Sequence, residues 1–378
     1  MGIRYHKGVV IMENQIYWIL VGTRPEVIKQ VPLYFELVRR FGKEKVALVG
    51  TGQHKELLEQ ALSHFGVHLD FNLNIMKPNQ TLSSSSAAVL EGLDELFLKS
   101  KPEWLIVQGD TTSAAMAAWA AFQSGVMVAH NEAGLRSYDL DHPFPEEGNR
   151  RHIAIVAKAH FAPTEMARQA LLNEGVPAQN IFLTGNTGID ALKWTLEQHA
   201  PESISQLLKV VKDAGQKPVL LTAHRRENKA AMDAWFETLA KFIVSNPELS
   251  LIYPIHPNHT AKPAAEKHLS HLKQVHMIPA IHYGETCHLL SECEFVITDS
   301  GGIQEEASTL GLPVVICRKT TERMEAVNEG VARLAGTDPD SIRKSMQWAK
   351  NLGRPEKRGI QRNIFGDGFA AQRIADQL

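Results

Sequence analysis

Two cations lie at the start of a predicted helix in the segment GTRPEVIK, residues 22–29. Arg24 comes directly before Pro25, a residue typical of the first helical position, and Lys29 follows one turn later. A helix N-terminus offers N–H donors and the positive end of the helix dipole, and a guanidinium adds two parallel donors. The spacing therefore predicts a phosphate site, although a surface helix with a good start signal would show the same residues.

Acidic side chains follow two hydrophobic runs further along the chain. Asp110 lies in QGDTT after the run WLIV, where it could also cap the helix that follows. Glu132, Glu146 and Glu147 lie in a mostly polar connection of more than twenty residues after VMVAH. A connection that long between a strand and a helix is usually functional or disordered. We therefore predict a group of carboxylates at neighbouring strand ends.

In the second half of the chain, two groups of polar residues follow predicted strands. His224 and Arg225 emerge together after VLLTA, and side chains of this kind in a row are rarely part of a core. Further on, FVITDSGGIQEEASTLG predicts a strand, a turn of small residues and a helix closed by Gly311. Small residues let a backbone approach a ligand closely, helix-start amides suit a diphosphate, and a carboxylate one turn later can accept from ribose hydroxyls. The residues assigned to this site are Ser300, Gly301, Gly302 and Glu306, with Arg323 as a further cation.

The type of nucleotide can be narrowed from motifs that the sequence lacks. No GxGxxG fingerprint is present, and no GKS or GKT sequence follows a glycine-rich loop. The sequence therefore disfavours NAD and ATP and favours a nucleotide sugar, with no cofactor expected.

The elements that must position these residues alternate regularly. Short runs rich in Val, Ile and Leu are each followed by a helical pattern, which indicates βαβ units with a parallel sheet. The strands predicted in the first half are Ile16–Val21, Val46–Val49, Trp104–Val107, Val126–Ala129, His160–Ala162 and Ile181–Leu183. Those predicted in the second half are Val219–Thr222, Ser250–Ile255, Val275–Ile278, Phe295–Thr298, Pro313–Ile316 and Arg333–Ala335. Two Rossmann-like, doubly wound halves follow, and we expect the ligand in a central cleft where the carboxyl ends of their strands face each other.

The boundary between the two halves is predicted near residue 190. This gives an N-terminal domain of residues 12–190 and a C-terminal, nucleotide-binding domain of residues 191–368. A last helical segment, Phe369–Leu378, could complete either half. Residues 1–11 precede an internal Met12 and are interpreted as an extension or as the product of an early start codon, and no functional role is assigned to them.

Charge and hydropathy argue against two classes of partner. The 378 residues include 40 basic and 42 acidic side chains, and a net charge of −2 gives no general field that would hold a nucleic acid. The most apolar segment, Ala114–Ala129, is interrupted by polar residues and Gly125, and it is shorter than the ~20 apolar residues that span a membrane. We predict it to be a buried helix that leads into a strand, and we expect no membrane partner.

The cysteines indicate the compartment. Cys287, Cys293 and Cys317 contain no CxxC pair, so neither a disulfide framework nor a structural zinc site can be built from them. The N-terminal stretch has no uninterrupted apolar core of signal-peptide length. A reducing, cytoplasmic location and the absence of a metal are therefore expected.

Taken together, these segments resemble the non-hydrolysing UDP-N-acetylglucosamine 2-epimerases. They occur in the family's order and extend over nearly the whole chain from about residue 16. The matching strings are GTRPEVIK at 22–29, QGDTTS at 108–113, HNEAGLR at 130–136, PFPEEGNR at 143–150, TAHRREN at 222–228, TDSGGIQEE at 298–306 and TTERMEAV at 320–327. The resemblance implies a GT-B architecture, no organic redox cofactor, a homodimer, and a C-terminal helix 369–378 that returns to the first domain.

The resemblance also implies a reaction and roles for individual residues. The reaction inverts C2 of UDP-N-acetylglucosamine through elimination and re-addition of UDP, which needs a stabilised diphosphate and acid–base groups on both faces of C2. The residues that match the family's catalytic positions are Asp110, Glu132, Glu146 and His224. Those that match its UDP-binding positions are Arg24, Lys29, Arg225, Ser300, Gly301, Gly302, Glu306 and Arg323. Which carboxylate serves which face of C2 stays open.

Bacterial members bind a second substrate molecule as an activator, and this chain departs from their pattern there. The residues assigned to such a site are Gln53, His54, Gln80 and His256, although His256 alone is more typical of a core histidine. The string around His54 is QHKE where relatives have QHRQ or QHRE, and Asn79 replaces a common Arg. Thr286 also stands where relatives have an aromatic residue against the base. Activation and the identity of the sugar therefore stay open.

Three other functions are compatible with parts of this pattern. An epimerase of a modified sugar nucleotide, such as a diacetamido uronic acid, would keep all of the motifs. A GT-B glycosyltransferase would share the SGG helix but has no reason to place Asp110, Glu132 and Glu146 at neighbouring strand ends. A non-catalytic nucleotide-sugar sensor would keep the phosphate cations and could lose those carboxylates. The carboxylates therefore favour the epimerase.

Overall fold

The structure is a computed structural model that describes residues 4–6, 9–11, 15–52, 55–77, 80–223, 231–255, 261–355 and 362–378. Its strands are β1 Arg4–His6, β2 Val9–Ile11, β3 Tyr17–Val21, β4 Val46–Gly50, β5 Phe71–Asn72, β6 Trp104–Gln108, β7 Met127–Asn131, β8 Ala159–Ala162, β9 Ile181–Leu183, β10 Lys217–Thr222, β11 Leu249–Ile255, β12 Val275–Pro279, β13 Phe295–Thr298, β14 Val314–Ile316 and β15 Ala332–Leu334.

The helices alternate with these strands along the chain. They are α1 Arg24–Phe41, α2 Lys55–Phe65, α3 Leu82–Lys99, α4 Thr112–Gln123, α5 Glu146–Val156, α6 Glu165–Asn173, α7 Thr187–Leu196, α8 Glu202–Asp213, α9 Met232–Val244, α10 Lys262–Leu269, α11 Tyr283–Glu292, α12 Gly301–Thr309, α13 Met324–Asn328, α14 Pro339–Leu352 and α15 Ala370–Ala375. Short 3-10 helices lie at Lys43–Lys45 and Ala178–Asn180.

The chain divides into two compact units. Unit 1 comprises residues 1–191 and 365–378, and unit 2 comprises residues 192–364. The main sheet in the described part of unit 1 has seven parallel strands in the order β5-β4-β3-β6-β7-β8-β9. That in the described part of unit 2 has six parallel strands in the order β12-β11-β10-β13-β14-β15. In each sheet the order reverses beside the first strand, and ligands of open α/β sheets bind at such a switch point.

Every strand predicted from the hydrophobic runs is present within one or two residues of its predicted bounds. Central strands such as β3 and β4 are buried along their whole length, as expected for a parallel sheet covered by helices on both faces. The segment 114–129 forms most of α4 and the start of β7, as predicted. The strand β5, which pairs with β4, was not predicted because its two residues, Phe71 and the exposed Asn72, form no hydrophobic run.

Local sequence signals explain where the helices begin. Thr23 caps α1, and the side chain of Glu26 returns to the Thr23 N–H in a capping box. Pro25 lies at the second helical position, one residue later than predicted, because α1 already begins at Arg24. Thr111 caps α4 by accepting from Ala114 N at 3.0 Å, so the alternative interpretation of Asp110 as the helix cap is wrong.

Each unit has its own core between sheet and helices. In unit 1 the alanine-rich α4 packs closely against α3 and α5, beside Trp18 and Val107 of the sheet. In unit 2 the corresponding core contains Trp235, Phe236 and Tyr253. No helix among the described residues combines the length and the apolar character that a membrane crossing would need.

The C-terminal segment packs on unit 1. Asp190 in α7 accepts from Ala370 N at 3.1 Å and from Ala371 N at 2.8 Å, which satisfies the free N–H groups at the start of α15. Burial raises the pKa of Asp190 to about 6. Phe365 accepts from Asn186 N at 2.6 Å, where the chain re-enters the unit. Within unit 1, residues 365–371 are therefore hydrogen-bonded to the beginning of α7 and to the residue before it.

Candidate active site

Three of the predicted site segments follow adjacent strands of unit 1. The turn 22–24 follows β3, Asp110 follows β6, and Glu132 follows β7, and these strands are neighbours in the sheet. The carboxyl ends of parallel strands meet at the same edge, so the fold brings these three segments together at the switch point between β3 and β6.

Glu132 is held by two side chains on one of its oxygens. Lys29 forms an ion pair with Glu132 Oε2, and Asn186 Nδ2 donates to the same oxygen at 3.1 Å. The side chain of Glu132 is only 7% exposed, and its backbone φ of 65° lies in the left-handed region, which is uncommon for a residue other than glycine. Uncommon backbone conformations of this kind cluster at functional sites. Glu132 is therefore a fixed, nearly enclosed carboxylate with a cation beside it.

Asp110 has a different cation. Arg150 in α5 forms an ion pair with Asp110 Oδ2, and Asn149 Nδ2 donates to the Asp110 carbonyl at 2.9 Å. The Asp110 side chain is 27% exposed, whereas that of Arg150 is 4% exposed. Two residues of the first turns of α5, Asn149 and Arg150, thus fix the turn after β6.

Glu146 is the first residue of α5, as the sequence predicted. Its Oε2 is buried and receives no hydrogen bond within the part of the chain that the structure describes. The neighbouring Glu147 is fully buried and accepts from Ser137 N at 2.9 Å, from Tyr138 N at 3.2 Å and from Arg151 Nε at 3.0 Å. Glu147 thereby fixes the polar loop to the helix start, and the oxygen of Glu146 is left as a buried polar atom that a ligand could satisfy.

Arg24 is exposed at the first position of α1, next to a turn that is tightly hydrogen-bonded. Glu26 Oε2 accepts from Gly22 N at 2.7 Å and from Thr23 N at 2.7 Å. A side chain at position 22 would place its Cβ 2.5 Å from Thr51 Oγ1, so the turn requires glycine. A guanidinium on a fixed helix start suits a phosphate, as the sequence predicted.

Two buried histidines lie beneath these loops. His130 Nε2 donates to the Gly109 carbonyl at 2.7 Å, which ties the turn after β6 to β7. Because a carbonyl oxygen only accepts, Nε2 carries a hydrogen, and Nδ1 is buried without a hydrogen-bond partner among the described residues. Burial lowers the pKa of His130 to about 3 and that of His160 to about 4. Both rings are therefore structural and uncharged near neutral pH.

In unit 2 the small residues lie at the start of α12, directly after β13. Ser300 occupies the N-cap position, and its N–H donates to Thr298 Oγ1 at 2.9 Å. A Cβ on Gly301 would lie 2.8 Å from Arg323 Cζ, whereas one on Gly302 would meet no atom within 4 Å. The guanidinium therefore lies directly against the backbone of the first helical residue.

Arg323 is buried and is held by two carboxylates. Its Nε donates to Glu305 Oε1 at 2.7 Å and its Nη1 to Glu322 Oε1 at 2.6 Å. Arg318 donates to the other oxygen of Glu322 at 3.3 Å. A helix N-terminus with an adjoining guanidinium of fixed orientation is a site for an anion such as a diphosphate.

Glu306 lies one turn into α12, beside two residues of α11. Burial, together with the charges of Cys287 and Glu306, raises the pKa of Tyr283. Burial and the charge of Glu306 raise the pKa of the Cys287 thiol. Tyr283 and Cys287 therefore remain protonated beside the buried Glu306 side chain.

Several predicted site residues cannot be placed. His224, Arg225, Gln53, His54 and His256 lie outside the described residues. Gln80 is described, and it bridges its own loop by donating to the Ile75 carbonyl at 2.9 Å and accepting from Lys77 N at 3.0 Å. Its assignment to an activator site stays a prediction. Within the described chain no group of three or more His, Cys, Asp or Glu side chains has metal-binding geometry.

The sequence analysis missed the residues that hold the predicted ones. Arg150, Asn186, Glu305 and Glu322 act through contacts with site residues, and Glu26 through contacts with two turns. Glu26 had a signal, since Thr followed three residues later by Glu is a capping box. Arg150 is the last residue of the matched string PFPEEGNR at 143–150 but was assigned no role, and Asn186 had no signal beyond its polarity.

Comparison with known proteins gives consistent matches over the chain. A family model described as UDP-N-acetylglucosamine 2-epimerase matches residues 38–378. The UDP-N-acetylglucosamine 2-epimerase of Bacillus subtilis (strain 168) is 41% identical over 362 residues, which cover 94% of this chain and 93% of that protein. The crystal structure of the UDP-GlcNAc 2-epimerase from Neisseria meningitidis, bound to UDP-GlcNAc, is 36% identical with a TM-score of 0.84, covering 96% of this chain and 99% of that one.

A more distant match concerns the fold alone. The structure of a glycotransferase of kitacinnamycin is 12% identical with a TM-score of 0.60. With the two parallel sheets, the likeness to epimerases and to a glycosyltransferase confirms the predicted α/β fold of GT-B type.

Proposed function

The chain belongs to the UDP-N-acetylglucosamine 2-epimerase family, and we propose that it interconverts UDP-N-acetylglucosamine and UDP-N-acetylmannosamine. The family indicated by the sequence motifs is thereby confirmed, and the matches give no support to an epimerase of a modified sugar or to a glycosyltransferase. The observation that carries the reaction is the set of carboxylates on adjacent segments of unit 1: Asp110, Glu132 and Glu146.

Inversion at C2 needs more than one acid–base group. The C2 hydrogen is weakly acidic, so a base removes it as the bond from C1 to the UDP oxygen breaks, and the proton returns to the opposite face before UDP adds again. In unit 1 the three carboxylates have three environments: Glu132 lies beside Lys29, Asp110 lies beside Arg150, and Glu146 has a buried oxygen that receives no hydrogen bond from a described residue. Carboxylates in different environments can divide proton donation and proton acceptance between them.

The departing diphosphate needs positive charge. We assign this to the start of α12 with Arg323 and to Arg24, together with Arg225 and His224 from outside the described residues. The matched role of Lys29 at the phosphates stays a prediction, and its ion pair with Glu132 gives it a second role. Glu306 is assigned to the ribose hydroxyls. Negative charge develops on the diphosphate as its bond to C1 breaks. Cations placed beside the diphosphate therefore lower the barrier of the elimination step.

Isotope exchange tests the proposal directly. In D2O with UDP-N-acetylglucosamine, the product UDP-N-acetylmannosamine should carry deuterium at C2, measured by proton NMR. Retention of protium at C2 in the product would exclude elimination with proton exchange. The same assay across a panel of UDP sugars, including a diacetamido uronic acid nucleotide, identifies the preferred sugar.

We also propose a homodimer. Phe122 in α4 is 51% exposed and Ile155 in α5 is 80% exposed, and these two helices pack against each other. Between them, the Trp119 ring lies 5.5 Å from Phe122 and 4.9 Å from His152, measured between ring centroids. Contiguous exposed apolar residues of this kind mark interaction surfaces. Light scattering should give twice the chain mass, and Ile155→Glu should lower it, whereas Lys241→Glu on the exposed surface of unit 2 should not.

Two further assignments rest on chemistry. All three cysteines are buried and none forms a disulfide, which supports a reducing, cytoplasmic location. A UDP-activated amino sugar is a donor for glycosyl transfer, so we propose that the product enters polysaccharide biosynthesis. Cell fractionation and the sugar composition of a deletion strain test these assignments.

A further inference from the structure

We propose that Glu26 is a positioning residue that couples the Arg24 turn to the Asp110 turn across the switch point of unit 1. The inference rests on the proposed function, because it assigns Arg24 to the diphosphate and Asp110 to proton transfer. Glu26 itself is buried at 2% exposure, and its side chain accepts from Gly22, Thr23 and Thr111, none of which is assigned to the substrate.

The two carboxylate oxygens of Glu26 face different strand ends. Oε2 accepts from Gly22 N at 2.7 Å, from Thr23 N at 2.7 Å and from Thr23 Oγ1 at 3.0 Å, all in the turn after β3. Oε1 accepts from Thr111 Oγ1 at 2.7 Å, in the turn after β6. One side chain therefore joins the two strands between which the order of the sheet reverses.

Each connection ends next to a group with a proposed role in the reaction. The turn that Oε2 holds leads directly into Arg24. Thr111 follows Asp110 in sequence, and its hydroxyl also accepts from Ala114 N at 3.0 Å as the cap of α4. A shift of the Thr111 hydroxyl would therefore move the backbone of Asp110 relative to the helix.

The charge of Glu26 is suited to this task. A carboxylate accepts at both oxygens without donating, and all four contacts come from N–H or O–H donors. Burial raises the pKa of Glu26, while these hydrogen bonds lower it. A helix cap alone would need only the contact to the Thr23 N–H, so the contact to Thr111, 85 residues further along the chain, is the part that capping does not explain.

The experiment compares five single variants of the full-length protein in the deuterium-exchange assay. Glu26→Ala removes both connections. Glu26→Gln can keep them, because its amide oxygen can face the two N–H groups while its amide nitrogen donates to Thr111, whose hydroxyl can rotate. Thr111→Val removes only the contact across the switch point and the α4 cap, and Thr111→Ser keeps both. Asp338→Ala, which removes the cap of α14 in unit 2, controls for the loss of a helix cap.

The proposal predicts a specific pattern of kinetic constants. Glu26→Ala lowers kcat about tenfold or more and raises KM, since both turns move, while Glu26→Gln stays within about threefold of the wild type. Thr111→Val lowers kcat with a smaller change in KM, Thr111→Ser restores it, and Asp338→Ala changes neither constant. The double variant Glu26→Ala/Thr111→Val is no slower than Glu26→Ala alone, because the two residues act as one unit.

Other outcomes would overturn the proposal. If Thr111→Val keeps the wild-type kcat, or if the double variant loses activity by the product of the two single losses, Glu26 acts only as the cap of α1. If Glu26→Ala does not fold, the Thr111 pair and a Glu26→Asp variant decide in the same way. If the wild-type protein itself does not epimerise UDP-N-acetylglucosamine, the proposed function fails instead, and wild-type activity separates these two failures.

Discussion

The two units share one strand order but use their switch points differently. In unit 1 the reversal lies between β3 and β6, and a carboxylate, Glu26, joins the two strand ends. In unit 2 it lies between β10 and β13, and two hydroxyls join them, with Thr222 Oγ1 2.6 Å from Thr298 Oγ1. Strand order thus fixes where a site is built, while the side chains at the strand ends decide what it can do.

The groups assigned to function are supported by opposite charges in the two units. In unit 1 the carboxylates Asp110 and Glu132 are held by Arg150 and Lys29. In unit 2 the cation Arg323 is held by Glu305 and Glu322. An ion pair with a buried partner fixes the position of the functional side chain, because a buried charge without its ion-pair partner would cost free energy of desolvation. Unit 1 therefore presents acids held by cations beside the exposed Arg24, and unit 2 presents a cation and N–H donors.

The largest expected effect separates chemistry from binding. Glu132→Gln should lower kcat about 10²- to 10⁴-fold, because the amide cannot exchange a proton with C2 while its shape still fits beside Lys29. The affinity for UDP, measured by calorimetry, should stay within about threefold. An equal loss of UDP affinity would show that Glu132 contributes as much to binding as to chemistry, and its assignment to proton transfer would fail.

The next effect concerns acid stability, which should be governed by unit 1. His130 has a folded pKa of about 3, below its unfolded value of 6.5, so the unfolded chain binds more protons between these values. The contribution is present above pH 6.5 and is lost as pH falls, by about 3 kcal/mol near pH 4. The measurement is urea unfolding of wild type and His130→Gln between pH 7 and pH 4.

The substitution has a clear control. The glutamine amide of the His130→Gln variant can still donate to the Gly109 carbonyl but does not titrate, so the stability difference between the two proteins should shrink or reverse on acidification. His160 remains in both proteins and cancels in that difference. A difference that is constant with pH would show that His130 is not the acid-sensitive group.

The sequence predicted the elements better than the contacts that complete the site. Parallel strands such as β3 are buried on both faces, so they appear as hydrophobic runs that local pattern detects. Asp110, Glu132 and Glu146 were found because polar residues directly after such runs are conspicuous. The side chains that surround these carboxylates were not found from the sequence, since Arg150 lies 40 residues from Asp110 and Asn186 lies 54 residues from Glu132 along the chain. Which polar residues meet at such separations depends on the packed fold and not on a local pattern.

A third prediction concerns the anion site of unit 2. Gly301→Ala should raise KM about tenfold, because its Cβ would lie 2.8 Å from Arg323 Cζ and displace the guanidinium. Gly302→Ala is the matched comparison, since its Cβ meets no atom of the protein within 4 Å. Any loss in that variant would report contact with the ligand itself. A Gly301→Ala variant with the wild-type KM would show that the position of Arg323 against Gly301 has no role in binding.

The smallest expected effect concerns the Thr222–Thr298 hydroxyl pair of unit 2, which is compared with the Glu26 carboxylate of unit 1. Thr298→Val keeps the shape of the buried side chain but leaves Ser300 N without its acceptor, which lay 2.9 Å away. The start of α12 should loosen, so KM should rise about threefold while kcat changes less, and Thr298→Ser should restore the wild-type value. Steady-state kinetics on the three proteins gives both constants.

A fall in kcat with an unchanged KM would contradict the division of labour between the units, because the switch point of unit 2 would then act on proton transfer. If the effect is confined to KM, the hydroxyl pair orders the N–H donors for an anion, whereas Glu26 places a cation and an acid at once.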